Sequence, residues 1–460
     1  MHARAATSLP VVAQTNQVAR GPLAAVSKPD PANICVNCHT PQGAALTPSQ
    51  TLPIEGVPLA QEGITCVTCH SWNGTPTSGS GGFVTFQSSL VTGPAVFGAF
   101  ADPVKASAHS SSAWGEMKDA NNLCATCHDV NADRNADGKI VKGTDLVLQT
   151  TSREYQKYRD DGGTQTCLSC HMPGLAPGRA AENAKIPDQQ GAEAPPRVLH
   201  DHGFVGVDAP IDGSPDTQVA ARAALLRGAA RLTIDETAAF GGTVEVSLSL
   251  TNVGAGHNLP TGFAFARQMW IELVVRRASG ALVDASGALA SEADDLCDTS
   301  TYENERAMRP FFVGCRTSDP RLVNFQQKLV DRIDIVRNGA GAPVLDGLGD
   351  ARLAQHASGV EAFLQHLPGG PVPRVRPFDN QVLGTIPPGE TRRFSYTMVG
   401  LIAQGEEVQI TARLLFRALP PYFLRALAAG QTPGELPAIA PLPSRLRVIE
   451  MATVKATARR

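Results

Sequence analysis

Beyond about residue 231 the chain alternates apolar and polar residues with period two. Over 243–253, Val244, Val246, Leu248 and Leu250 share one face, and Glu245, Ser247 and Ser249 share the other. Phe394, Tyr396 and Met398 alternate with Arg393, Ser395 and Thr397, and Val408, Ile410, Ala412, Leu414 and Phe416 repeat the scheme. Such alternation marks strands with one buried face. Further strands are expected over 267–277 and 445–456. Strand after strand separated by Gly/Pro turns predicts an all-β, immunoglobulin-like sandwich over 232–460. A short helix is expected over 421–429, with proline at its start and Gly430 past its end. The stretch 284–380 has no clear period and reads as an irregular insertion between strands.

Upstream the pattern changes. Residues 216–231 read as a linker helix, capped by Asp216 or Thr217, with Val219, Ala223, Leu226 and Ala230 on one face. Residues 31–215 are rich in Gly, Pro, Ser and Thr and show few sustained periods. A mainly irregular/α domain is expected there, with short helices joined by loops. Residues 1–30 read as a flexible tail.

What organises the irregular domain is a repeated motif. Cys35-Val36-Asn37-Cys38-His39, Cys66-Val67-Thr68-Cys69-His70, Cys124-Ala125-Thr126-Cys127-His128 and Cys167-Leu168-Ser169-Cys170-His171 all read C-x-x-C-H. This is the attachment pattern of a c-type haem. Two thiols three positions apart bond the two vinyl groups of one porphyrin, and the following histidine is the proximal iron ligand. Structural zinc would pair C-x-x-C units without a histidine after each. A disulfide framework would explain the cysteines but not the histidines. Four covalently bound haem c groups are therefore expected.

The second axial position of each iron needs its own donor. His109 precedes the third motif in a serine-rich loop. His200 and His202 lie in Leu199-His200-Asp201-His202-Gly203-Phe204-Val205-Gly206, downstream of the last motif. His257 sits in Asn252-Val253-Gly254-Ala255-Gly256-His257-Asn258-Leu259-Pro260, after a strand, where glycines permit close backbone approach. The bland readings are a surface histidine for His109 and a polar hairpin tip for His257. Four proximal and four distal candidates make bis-histidine ligation the natural count. Asp201 is a candidate to orient a neighbouring imidazole. Met117 and Met172 are the competing ligands. His356 and His366 read as structural, and His2 falls in the tail.

Two further features stand apart. Asp133, Asn135 and Asp137, followed by Gly138, match the first half of a calcium loop. Position twelve is Thr144 rather than Glu, so a solvated Asx-rich turn is the favoured reading and one calcium ion the alternative. Cys297 and Cys315 fit no haem motif. In an oxidising compartment a disulfide between them is expected, with two buried thiols as the alternative.

Composition narrows the picture. Aromatic residues are only 5% of the chain, as suits a core partly made of porphyrin. A net charge of −3 gives no pull toward nucleic acid. Neither a transmembrane run nor an export signal is legible. Haem attachment to C-x-x-C-H takes place beyond the cytoplasmic membrane, so a periplasmic or extracellular location is expected.

The chain resembles the multihaem c-type cytochromes, specifically tetrahaem forms related to cytochromes of ammonia oxidation and extracellular electron transfer. Glu62-Gly63-Ile64-Thr65 before the second motif, Met172-Pro173 after the fourth, His202-Gly203-Phe204-Val205-Gly206 and Gly256-His257-Asn258-Leu259-Pro260-Thr261-Gly262 carry the resemblance, which covers about 31–275. It implies that the loop histidines are distal ligands and that the protein passes electrons between redox partner proteins. Two other functions stay open. One is an oxidoreductase acting on a small nitrogen or sulfur compound at a five-coordinate haem. The other is a subunit of an extracellular cytochrome filament, since some such cytochromes polymerise with a ligand from the next subunit.

Overall fold

The computed structural model describes residues 2–5, 8, 10–11, 38–46, 62–70, 95–101, 103, 110–113, 117, 120–132, 146–175, 199–296, 311–314, 319–326, 333–335, 353–355, 385–429 and 442–460. The chain divides into two compact units. One comprises Met1–Lys142 and Thr150–Arg222, the other Gly143–Gln149 and Ala223–Arg460.

The first unit holds short elements: α1 (Pro41–Leu46), α2 (Cys66–His70), β1 (Ala95–Gly98), β2 (Ser110–Ala113), α3 (Asn121–His128), β3 (Val130–Ala132), α4 (Thr151–Asp160) and α5 (Cys167–His171). β1 and β2 pair in parallel, Ala95 to Ser110 through Gly98 to Ala113. Half of α4 is Arg, Glu, Gln and Lys, which favour helix, and Thr150 Oγ1 donates to Glu154 in its first turn. Gln156–Asp160 and Lys157–Asp161 contacts run down its exposed face at i,i+4 spacing. Arg153 grips Asp129, the residue after His128, with Nε 2.9 Å from Oδ1 and 3.0 Å from Oδ2. The end of α3 is thus bolted to α4. Residues 2–5, expected within a loose tail, form a 3-10 turn at His2–Arg4. Ile64 N donates to His2 O at 3.0 Å, tying that turn to the approach of the second motif.

α6 (Val219–Ala229) runs from the first unit into the second, inside the span expected for a linker helix. The second unit contains β4 (Leu146–Gln149), β5 (Ala230–Ala239), β6 (Thr243–Asn252), β7 (Gln268–Arg277), β8 (Leu282–Ser286), β9 (Ile333–Ile335), β10 (Leu353–Gln355), β11 (Thr391–Val399), β12 (Glu407–Arg417), α7 (Pro421–Ala429) and β13 (Ile449–Arg459). One sheet has the order β11-β6-β5 and another β13-β12-β7-β8, with every neighbouring pair antiparallel.

The alternation in the sequence becomes alternation in burial. Val244, Val246, Leu248 and Leu250 of β6 are buried, and Phe394, Tyr396 and Met398 of β11 sit opposite Leu248, Val246 and Val244. In the other sheet Ile410, Ala412 and Leu414 face Val275, Leu273 and Ile271. Trp270 is fully buried with Leu296 and Leu415, and its Nε1 donates to Gly287 O at 3.0 Å. Arg417, also fully buried, survives there because Gln268, Glu292 O and Asp294 O accept its protons and Trp270 lies 5.6 Å below its guanidinium.

Candidate haem centres

Each described motif occupies a single helical turn. Residues i and i+3 of a turn share a face, so the two thiols point the same way. The hydroxyl residue between them secures the turn. Thr68 Oγ1 accepts from Thr65 N at 3.2 Å at the start of α2. At α5, Thr166 and Ser169 form a reciprocal capping box. In α3, Thr126 Oγ1 donates back to Asn122 O at 2.9 Å. Thr68 and Thr126 are both buried. None of the seven described motif cysteines is in a disulfide. Thiols of different motifs approach one another. Contact with Cys38 and desolvation hold Cys127 protonated well above the ordinary thiol range, and desolvation, then Cys66, pushes Cys69 up to about 11.

Six of the imidazoles share one feature. His39 Nδ1 lies 2.9 Å from Ala5 O, His70 Nδ1 2.7 Å from Phe97 O, and His171 Nδ1 2.6 Å from Val205 O. His200 Nδ1 lies 2.6 Å from Met172 O, His202 Nδ1 2.8 Å from His200 O, and His257 Nδ1 2.9 Å from Asn258 O. A backbone carbonyl only accepts, so each of these Nδ1 atoms carries the proton. Nε2 then keeps its lone pair, the state in which imidazole binds a metal, and the carbonyl fixes the ring's orientation. Desolvation keeps His39 below the ordinary histidine range, and desolvation with nearby His171 and His39 lowers His128 to about 4. Both effects favour the neutral ligand form.

Two imidazole pairs stand at a telling separation. The rings of His70 and His202 are 6.3 Å apart between centroids and tilted by 28°. Those of His2 and His128 are 6.2 Å apart and tilted by 79°. A metal ion held in line between two imidazole nitrogens, about 2.0 Å from each, separates the ring centroids by about 6 Å. Paired thiols on a helical turn, a neutral imidazole beside them and a second imidazole at that distance fit a haem with two axial histidines.

The family described as cytochrome c554 and c-prime matches residues 1–71 and 123–193, stretches that contain all four C-x-x-C-H motifs. Over those stretches the chain is similar to multihaem c-type cytochromes. A crystal structure of a penta-haem cytochrome c552 from Thermochromatium tepidum is similar in fold, with 17% identity and a TM-score of 0.50, over 92% of this chain and 83% of that one. No protein of curated function matches the sequence.

The other expected residues fall as follows. His200 and His202 lie in the first unit, with Gly174 bridged to His200 and Asp201 N donating to Pro173 O. The exit of the fourth motif and the histidine loop are therefore zipped together. Asp201 does not orient an imidazole. Its Oδ1 accepts from Gly203 N at 2.8 Å in an Asx turn, and carbonyls of Met172 and His200 do the orienting. His257 lies in the second unit on the loop after β6. Buried Asn252 shapes that loop, its Nδ2 donating to His257 O at 2.8 Å and to Ile386 O at 3.0 Å. Gly254 is required there, because a Cβ would stand 2.1 Å from Gly228 O. Cys35, His109, Asp133, Asn135, Asp137, Cys297 and Cys315 lie outside the described residues. Among the described residues no helix is long and apolar enough to cross a membrane.

Sequence reasoning placed α6 but missed that it clamps the histidine loop. Arg222 Nε donates to Gly206 O at 3.1 Å, and its Nη2 donates to Asp208 O at 2.9 Å. Gln218, one turn earlier, bonds Gly203 O. Arg222 is buried and paired with Asp216 at 2.5 Å.

Proposed function

We propose that the protein is an electron carrier with four covalently bound haem c groups, each iron held between two imidazoles, working in the periplasm or outside the cell. The observation that carries this reading is the Nδ1-to-carbonyl bond made by His39, His70, His171, His200, His202 and His257, which presets these imidazoles as neutral Nε2 donors. Cys35/Cys38, Cys66/Cys69, Cys124/Cys127 and Cys167/Cys170 would anchor the porphyrins, and His39, His70, His128 and His171 would hold the irons from the proximal side. His202 would complete the coordination at His70. Haem supplies a reversible one-electron couple of its iron. The chain's part is to fix the imidazoles and to omit the thioether ligand that raises the potential in Met/His cytochromes, so modest to low potentials follow. Seven strands split three and four support an immunoglobulin-like sandwich for the second unit. Redox partner proteins would dock to deliver and remove electrons.

The test is direct. The mass of the mature protein should exceed that of the polypeptide by four haems, and the oxidised spectrum should be wholly low-spin. The reduced protein should not bind carbon monoxide. Rapid carbon monoxide binding to one haem would instead favour an oxidoreductase with an open iron. Long ordered polymers in electron micrographs of purified protein would favour the filament subunit.

A further inference from the structure

The N-terminal turn belongs to no motif, yet it is fastened to the haem-motif unit at several points. His39 Nδ1 donates to Ala5 O at 2.9 Å, Ile64 N donates to His2 O at 3.0 Å, and Arg4 pairs with Asp212 at 3.7 Å. These contacts carry the His2 ring to 6.2 Å from that of His128. The separation matches the 6.3 Å between His70 and His202 and the value of about 6 Å for two imidazoles in line across one metal ion.

Two further observations point the same way. His2 Nδ1 is buried and has no hydrogen-bond partner. Native folds rarely leave a buried nitrogen in that state unless it has another use. Beside it, Phe204 is held with φ at 48°, in the left-handed region that a bulky residue seldom enters. That conformation places its ring edge-on to His2 at 4.5 Å and to His202 at 6.2 Å. One strained residue thus buttresses both imidazoles, and strain of this kind gathers at functional sites.

We propose that His2 is the second axial ligand of the iron bound by His128. The proposal rests on the multihaem reading above and adds a ligand to it. With His2 at His128 and His202 at His70, the irons at His39 and His171 remain for His109, His200 and His257. Three candidates then serve two irons.

The test is the His2→Ala variant of the holoprotein, with haem content measured by mass and by the pyridine haemochrome. Four attached haems are expected, because the thioether bonds do not need the distal ligand. One iron in four should become high-spin in the paramagnetic resonance spectrum, and one haem per reduced chain should bind carbon monoxide. Free imidazole should return that iron to the low-spin state, which a general packing defect would not allow. The His2→Met variant should keep all irons low-spin but show one His/Met iron in the near-infrared. Four haems with a wholly low-spin His2→Ala spectrum overturn the proposal. So do variants with fewer than four haems, which would place His2 in maturation or packing. Wild-type protein lacking four haems would sink the multihaem reading itself, a separate result.

Discussion

Arg222 gives the sharpest check on how the histidine loop is held. Its guanidinium is buried, bonds Gly206 O and Asp208 O, and pairs with Asp216 at 2.5 Å. Val205, whose carbonyl orients His171, lies inside the clamped segment. Arg222→Met keeps the bulk of the stem and removes all five donors. It strands two carbonyls and a carboxylate that is about one-fifth exposed. Removing one partner of a buried ion pair costs roughly 3–5 kcal/mol, and the partial exposure of Asp216 argues for the lower end, ~3 kcal/mol. At 1.4 kcal/mol per decade that is about a hundredfold in the folding equilibrium. The measurement is the urea midpoint followed by Soret circular dichroism, which reports the imidazole ligands as well as the fold. A second signature is in pH. Arg222 holds Asp216 below its ordinary 3.8, so the pair's contribution is complete above that value and fades as acid protonates the folded carboxylate. The gap between wild type and Asp216→Asn should therefore be full at neutral pH and close as pH falls below 3.8. An Arg222→Met midpoint unchanged from wild type would refute the clamp. So would a gap that widens in acid.

Three further outcomes are expected. Phe204→Gly and Phe204→Ala both lose the ring, but only glycine escapes the left-handed penalty, so the glycine variant should unfold later by about 1 kcal/mol in urea; equal midpoints would show that the backbone there is unstrained. Trp270→Ala should cost about 3–5 kcal/mol, read as a far-ultraviolet unfolding midpoint, while leaving the haem spectrum unchanged, since the residue is fully buried in the second unit's core. Among His109→Ala, His200→Ala and His257→Ala, two should each create one high-spin iron and the third should stay low-spin; three high-spin variants would contradict the assignment of His2.

The β elements were legible because burial on one face of a strand imposes period two on the residues themselves. β6, β11 and β12 follow from that rule, and α7 from its proline and glycine limits. β5 was blurred for a physical reason. A bulge between Ile234 and Glu236 slips the register by one, which moves later side chains to the opposite face and breaks the alternation. β8, at Leu282–Ser286, straddles the start of the stretch expected to be irregular, and five residues are too few to show a period.

The site divides along the same line. Covalent attachment needs two thiols and an imidazole at fixed spacing in the chain, so the anchoring residues can be read directly. Orientation needs only a carbonyl, and every residue has one. Ala5, Phe97, Met172, His200 and Val205 orient imidazoles through their backbones, so their side chains carry no trace of the role. Asp201 misled for the converse reason: its carboxylate looked like an acceptor for imidazole, but the amide two residues on is nearer and wins. His2 was missed because its position near the start of the sequence says nothing about where its backbone is fastened. Only the bonds through Ile64 and Ala5 bring it to His128. A distal ligand is defined by where a loop is tied down, whereas a proximal one is defined by its covalent neighbours, and that asymmetry decides which half of a haem's coordination a sequence reveals.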